Sequence, residues 1–320
     1  MSDTQRYVAF ALWVFALAST PLWAENYTVR MAILIAMFTA LTLSWNFIGG
    51  LTGYPSLATA AFFGLGSYVG ALLQGAGAPM LVAWIAATVF VGVLAAVFGV
   101  IILRLRGHYF AIGSFGLVEV LRLVISSWGS LTGGGDGLNV PLVQGGPNAV
   151  AQTFLAVMVV IMVIVFVVTV LVDRGRLGFG LRCIQQNEDA ADMVGVDTTR
   201  FKVYAFTLSA LFCGTVGAAY ASWTGYIDPT DSFSILMTIK VPVMCLLGGA
   251  GTLLGPVVGT ATFMILEEIV WANFLDYNRA ILGAFTVALI LFLPGGLLRI
   301  DYRNLVTRFA ARPGRSGAPA

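Results

Sequence analysis

Apolar residues fall along this chain in long runs, and the runs set the first expectation. A helix crossing a membrane needs about 20 mainly apolar residues to traverse a hydrocarbon layer of roughly 30 Å. Runs of that kind lie near 7–24, 29–48, 56–74, 80–103, 109–128, 149–172, 203–223, 236–249, 254–272 and 279–298. The pattern predicts an all-α polytopic transmembrane protein of about ten spans, with residues 1–300 as one membrane domain. Two runs are weaker. The third opens in Gly53-Tyr54-Pro55-Ser56, and the eighth is short and carries Lys240 and Pro242. Either suits a broken or re-entrant helix, which is tolerated where protein or a water-filled cavity covers the freed backbone groups.

Between the sixth and seventh runs the pattern changes. Residues Asp173 to Lys202 read DRGRLGFGLRCIQQNEDAADMVGVDTTRFK, a polar island between apolar spans. Asn187 or Asp189 can cap a helix here, while Glu188, Asp189 and Asp192 suit its positive N-terminal end. Gly195 suits the position where the chain turns back. A short helix over 187–195 is expected, either gripped by a partner or simply solvated. The residues alone leave both readings open.

Composition narrows the class. With 59% hydrophobic and 10% charged residues and a mean hydropathy of +0.92, the chain has too little polar surface to cover a soluble fold. A membrane β-barrel would alternate polar and apolar residues, whereas 155–172 does not alternate. Cys183, Cys213 and Cys245 have no metal spacing, and His108, beside Arg104 and Arg106, is the one histidine. No catalytic residue, metal site or cofactor is expected. A net charge of +2 gives no reason to expect a nucleic-acid partner. At the N-terminus, a signal peptide cut after Ala24 is the alternative to a retained first span. Leu22, the third residue before that cut, is large for such a site.

The distribution of charge sets orientation. With ten spans and a cytoplasmic N-terminus, Arg6, Arg104, Arg106, Arg174, Arg176, Arg182, Arg200, Lys202, Arg299, Arg303, Arg308, Arg312 and Arg315 fall inside. Only Arg30 and Arg279 fall outside. That asymmetry predicts cytoplasmic termini and a cytoplasmic island. Residues 301–320, ending in a Gly/Pro/Ala/Ser-rich stretch, are expected as a disordered cytoplasmic tail.

Charge inside a span costs at least about 2.5–3.5 kcal/mol near the middle of a helix. Glu119 and Arg122 share one helix face three residues apart. Lys240 can meet Glu267 or Glu268 at similar depth. These five residues are candidates either for buried ion pairs that fix helix register or for a polar translocation path. Gly251, Gly255 and Gly259, spaced by four, predict a smooth helix face for close packing, within this chain or against another subunit. Gly66 and Gly70 form a shorter one.

Asp189-Ala190-Ala191 followed by Gly195 resembles the EAA loop of ABC-importer permeases, with Asp in place of Glu. The usual Ile-x-Leu-Pro ending is replaced by Phe201 to Ser209, which narrows the likeness to the branched-chain amino acid permease family, LivM-type subunit. Pro55 to Gly64 is similar to that family's Ser-Leu-Gly-x-Ala-Ala-Phe-Phe-Gly segment, with Ala58 where Gly is usual. Tyr109 to Ile112 with Glu119 and Arg122, and the Gly-rich stretches 132–137 and 248–256, are similar as well.

The resemblance implies that Asn187, Glu188, Asp189, Ala190, Ala191 and Gly195 form a coupling helix that docks on an ATPase. It implies a second, LivH-like permease, two ATP-binding cassette subunits and a periplasmic amino-acid-binding protein as partners, in the bacterial inner membrane. This chain carries no G-x-x-x-x-G-K-[ST] loop, since Lys202 and Lys240 are its two lysines and follow Phe201 and Ile239. Nucleotide energy would come from other polypeptides. A urea or short-chain amide importer permease, an ion-coupled secondary transporter and a membrane-embedded enzyme are the alternatives.

Overall fold

Apolar runs become helices because, in hydrocarbon, each backbone N–H and C=O must find its partner within its own segment. A computed structural model of the chain describes residues 3–23, 25–143, 145–273, 283–284 and 296–299. Its helices are α1 (Asp3–Trp23), α2 (Asn26–Trp45), α3 (Thr59–Gly75), α4 (Met80–Ile102), α5 (His108–Ser127), α6 (Gly129–Thr132), α7 (Pro147–Arg174), α8 (Arg176–Gln186), α9 (Glu188–Met193), α10 (Thr198–Thr224), α11 (Pro229–Ser232), α12 (Ile235–Gly248) and α13 (Gly255–Asn273). Two two-residue strands, β1 (Leu138–Asn139) and β2 (Tyr226–Ile227), pair antiparallel. Most of the tenth expected span, and all of the expected tail, lie outside the described residues.

Among the described residues, seven segments are long and apolar enough to cross a membrane: Asn26–Gly50, Met80–Ile102, His108–Ser127, Pro147–Arg174, Thr198–Thr224, Pro229–Gly248 and Gly255–Ala272. The chain is an all-α polytopic membrane protein. Helix α1 is not among the seven; it packs on α2 and α7, with Phe10 stacked on Phe166 and Arg174 over the Tyr7 ring at 5.5 Å. Helix α3 has 17 residues and is shorter than α4 and α10, but together with the stretch before it the chain lies along most of α10. Before it, Tyr54 reaches Lys202 at the start of α10, and near its end Gln74 reaches Ser222.

Helix α10 is the middle of the bundle, with α3, α4, α2 and α7 against it. Small residues allow its approach to α3. A Cβ on Gly66 would stand 2.1 Å from the Gly214 carbonyl, and one on Gly217 would stand 2.0 Å from the Phe63 carbonyl. Ser67 donates to the Gly217 carbonyl at 2.9 Å across the same contact. With lipid outside, such close van der Waals and polar contact holds helices together better than apolar character alone. Helix α4 covers the other side of α10 and turns Leu81, Ile85, Val89, Val93 and Val97 outward.

Side-chain contacts sort the connections into two ends. One end holds the 51–58 segment, Arg106, α8, α9 and the 249–254 turn; the other holds β1, β2, Tyr27 and Glu268. The break expected near Gly53 is present. Helix α2 ends in a π-helical turn, Asn46–Gly50, and the chain runs without regular structure to Ala58. The Trp45 indole donates to the Ser56 carbonyl at 2.7 Å and folds the broken stretch back. The eighth run is a continuous helix through Pro242.

Candidate functional site

The polar island forms two helices rather than one. Helix α8 follows α7 after Gly175, and α9 follows α8 at Asn187. Of the two capping candidates, Asn187 acts: its Oδ1 accepts from the Ala190 N–H at 3.0 Å. Gly195, at φ +86°, closes the other end. The Val196 N–H bonds the Ala191 carbonyl and the Gly195 N–H bonds the Asp192 carbonyl, both at 3.0 Å. That double return is a Schellman motif, and it favours a residue without a Cβ at the turning position. Asp197 then caps α10 through the Arg200 N–H at 3.0 Å. A rigid six-residue helix is thus joined to the central span by a four-residue link.

Glu188, the first residue of α9, faces the membrane body. Its Oε1 lies 2.6 Å from Lys202 Nζ, and its Oε2 accepts from the Tyr54 hydroxyl. Lys202 Nζ also donates to the Tyr54 oxygen at 3.2 Å and lies 4.7 Å from that ring's centre. Arg106, from the α4–α5 link, bonds Asp189 at 3.0 Å and stands 3.9 Å from Glu188. The Lys202 side chain is 3% exposed and that of Glu188 15%. Below them Tyr54 packs edge-on against Phe110, Phe110 against Phe206, and Phe206 against Phe62. One junction therefore ties α9 to the α2–α3 break, the α4–α5 link and the start of α10.

Electrostatics follow the geometry. Burial works to raise the Glu188 pKa, but hydrogen bonds from Lys202 and Tyr54, with the charges of Lys202 and Arg106, outweigh it and leave the carboxyl below its usual range. Burial and the neighbouring Glu188 carboxylate push the Tyr54 phenol well above its usual value, so it stays a proton donor. The Asp189 hydrogen bond raises the pKa of Arg106.

The remaining residues of α9 divide by face. Ala191 is buried, while Asn187, Asp189, Ala190 and Gly195 are exposed. Met193 and Val194 are 88% and 76% exposed and give α9 an apolar tip. Glu188 is therefore a bolt inside the chain and not part of an outward face. Tyr54, Arg106 and Lys202 were not singled out as its partners from sequence, and Lys202 had been counted as a loop charge. A signal existed: Lys202 shares the helical stripe of the buried Ala205, Phe206 and Ser209.

In the spans, Arg122 donates to Glu119 Oε2 from Nε at 3.0 Å and Nη2 at 2.7 Å. Glu119 Oε1 is buried without a donor. Lys240 lies 2.6 Å from Glu267 Oε1 and 2.5 Å from Oε2, and its ammonium stands over the Phe38 ring at 4.9 Å. Glu268 goes elsewhere, accepting from Tyr27. One expectation is corrected: Gly251 is not on a helix. It turns the chain at φ +75° between α12 and α13, because α13 begins at Gly255. Gly255 and Gly259 pack inside the chain, where added Cβ atoms would stand 2.1 Å from the Gly249 carbonyl and 1.9 Å from that of Met244. Among the described residues, no group of three His, Cys, Asp or Glu side chains is placed to hold a metal ion.

A bundle of apolar helices with a polar helix bolted at one end defines a multi-pass helical membrane protein. The chain matches the family described as branched-chain amino acid transport system / permease component over residues 27–293, and it belongs to that family. It is similar to the high-affinity branched-chain amino acid transport system permease protein LivM of Escherichia coli, at 27% identity over 97% of this chain and 79% of the relative. LivH of the same organism is 22% identical over 82% of this chain and 91% of the relative. The autoinducer 2 import system permease protein LsrC of Yersinia enterocolitica is 26% identical over 89% of this chain and 79% of the relative. No solved structure matches. The chain is a multi-pass inner-membrane permease subunit.

Proposed function

We propose that this chain is one of two permease subunits of an ATP-driven importer that moves branched-chain or related amino acids into the cytoplasm. Its partners are a LivH-like permease, two ATP-binding cassette subunits and a periplasmic binding protein. The membrane domain crosses the bilayer about ten times, with both termini cytoplasmic. Helix α9 is the coupling helix. Met193 and Val194 at its tip enter the ATPase, and Glu188 carries the displacement inward.

The observation that carries this reading is the Glu188 junction. A helix capped at both ends moves as a unit, and a nearly buried Lys–Glu–Tyr cluster transmits its motion to three membrane segments at once. A merely solvated loop helix has no need of such a bolt. Alternating access follows when ATP-driven closure of the cassettes shifts α9, and α10, α5 and the α2–α3 break re-orient with it. ATP hydrolysis resides on the cassettes, and this chain is not an enzyme.

The test is reconstitution of the four-part transporter in proteoliposomes with labelled leucine, isoleucine or valine and the binding protein. Uptake that requires both ATP and the cassettes is expected. Uptake driven by an ion gradient without cassettes overturns the reading.

A further inference from the structure

A second set of contacts leaves the island from α8 and meets the Gly50 end of the α2–α3 break, where the Glu188 junction meets its Tyr54 end. Gln185, near the end of α8, donates from Nε2 to the Gly50 carbonyl at 2.8 Å. Gly50 closes the π-helical turn at the end of α2, and Asn46 opens it. Gly50 lies at the end of this helix, where the last carbonyls have no partner within the helix, so its carbonyl can accept from elsewhere. Asn46 uses its side chain the same way. Its Oδ1 accepts from the Gly251 N–H at 2.8 Å and from Cys245 Sγ at 3.5 Å, and its Nδ2 donates to the Thr252 carbonyl at 3.2 Å. The backbones also touch: a Cβ on Gly50 would lie 2.6 Å from the Gly251 nitrogen, and one on Gly251 would lie 2.8 Å from the Gly50 carbonyl. Asn46 is 1% exposed, so water does not compete for these bonds.

Resting on the coupling role proposed for the island, we propose that Gln185 and Asn46 are positioning residues of a second transmission line. It runs from the island through the π turn of α2 to the 249–254 turn between α12 and α13. The Glu188 junction moves α10, α5 and the 51–58 stretch. The Gln185 line moves the hairpin of α12 and α13, which the Glu188 contacts do not reach. A close-packed backbone contact with no room for a methyl group cannot absorb displacement, so movement of the π turn becomes movement of the Gly251 turn. Gly251 is thereby assigned to this joint rather than to a helix-packing stripe.

The test uses the reconstituted transporter carrying Cys183→Ser, which leaves only the buried Cys213 and Cys245 in this chain, with one added reporter thiol at Leu253→Cys on the proposed line or Leu105→Cys beside the Glu188 junction. The rate of labelling by a water-soluble maleimide is compared between nucleotide-free and ATP-trapped states. Several-fold changes are expected at both reporters. Adding Gln185→Leu, at an exposed position, should abolish the change at the 253 reporter while leaving it at the 105 reporter. Gln185→Lys, which can still donate to the Gly50 carbonyl, should restore it. An unaltered 253 response in Gln185→Leu, or loss at both reporters together, overturns the second line. Absence of any change at either reporter before Gln185 is altered instead overturns the coupling role of the island.

Discussion

Two lysine–glutamate pairs stand in this molecule, and they differ in what they join. Lys240 and Glu267 link α12 to its neighbour α13, with Phe38 and Phe263 beside the ammonium. Lys202 and Glu188 link a span to the polar helix α9, and Tyr54 and Arg106 bring in two further segments. The first is a staple between helices already held by Gly248, Gly255 and Gly259. The second is a joint, because little else fastens α9 to the membrane body. Similar chemistry thus does different work according to how many independently attached segments meet at the charge. A buried pair is weak evidence for stability by itself, since apolar replacement of both partners is often neutral. When both partners are replaced, function rather than stability is where these two pairs should separate.

The largest expected effect comes from removing one partner of the joint. Glu188→Ala leaves the Lys202 ammonium almost wholly buried without a counter-charge, a loss of about 3–5 kcal/mol. Thermal unfolding of the purified subunit complex measures it, and a shift no larger than that of a surface substitution contradicts the buried pairing. Next comes the staple. Lys240 and Glu267 are each about a fifth exposed, so either single change should cost less, about 1–3 kcal/mol after screening. The double reversal Lys240→Glu with Glu267→Lys should recover most of that in a double-mutant cycle. Absence of recovery would separate the two residues.

Of similar size is Tyr54→Phe, which removes the hydroxyl bonded to Glu188 and Lys202 and should cost about 1.5–3 kcal/mol at most, as for one hydrogen bond to a charged group. The corresponding change at Phe38 has no hydroxyl to remove, so only the joint offers this probe. Acid gives the mildest test. The Glu188 carboxyl is held below the usual glutamate value, so its stabilising contribution is complete above that value and is lost as pH falls through the lower, folded-state pKa. Unfolding should be unchanged by this group between neutral pH and the usual carboxylate range. The acid-induced loss should shrink in Glu188→Gln, and an identical acid limb in that variant would contradict the assignment.

Much of this was legible in the chain. Run length located α2, α4, α5, α7, α10, α12 and α13, because hydrocarbon forces helical closure on any apolar stretch. The break at Gly53-Tyr54-Pro55 was visible in its residues, and so was the turn at Gly195. The second island helix, α8, was not foreseen; its Gly178 and Gly180 sit against the Val172–Asp173 backbone and the Phe201 ring, contacts that only the fold creates. Lys202 was misread as a loop charge because its burial depends on Glu188 and Tyr54, which lie 14 and 148 residues away. Regular spacing also misled at Gly251: a turn residue happened to fall in register with a helix that starts four positions later. Pair partners across distant segments have no local signature, and the joint is made entirely of such partners.

The joint's role is tested most directly by replacing both of its charges, Glu188→Leu with Lys202→Met, and measuring amino acid imported per ATP hydrolysed in the reconstituted transporter. The account predicts a complex that assembles and melts near the unaltered temperature, hydrolyses ATP, and imports little for each ATP spent. Import per ATP equal to that of the unaltered transporter would contradict it.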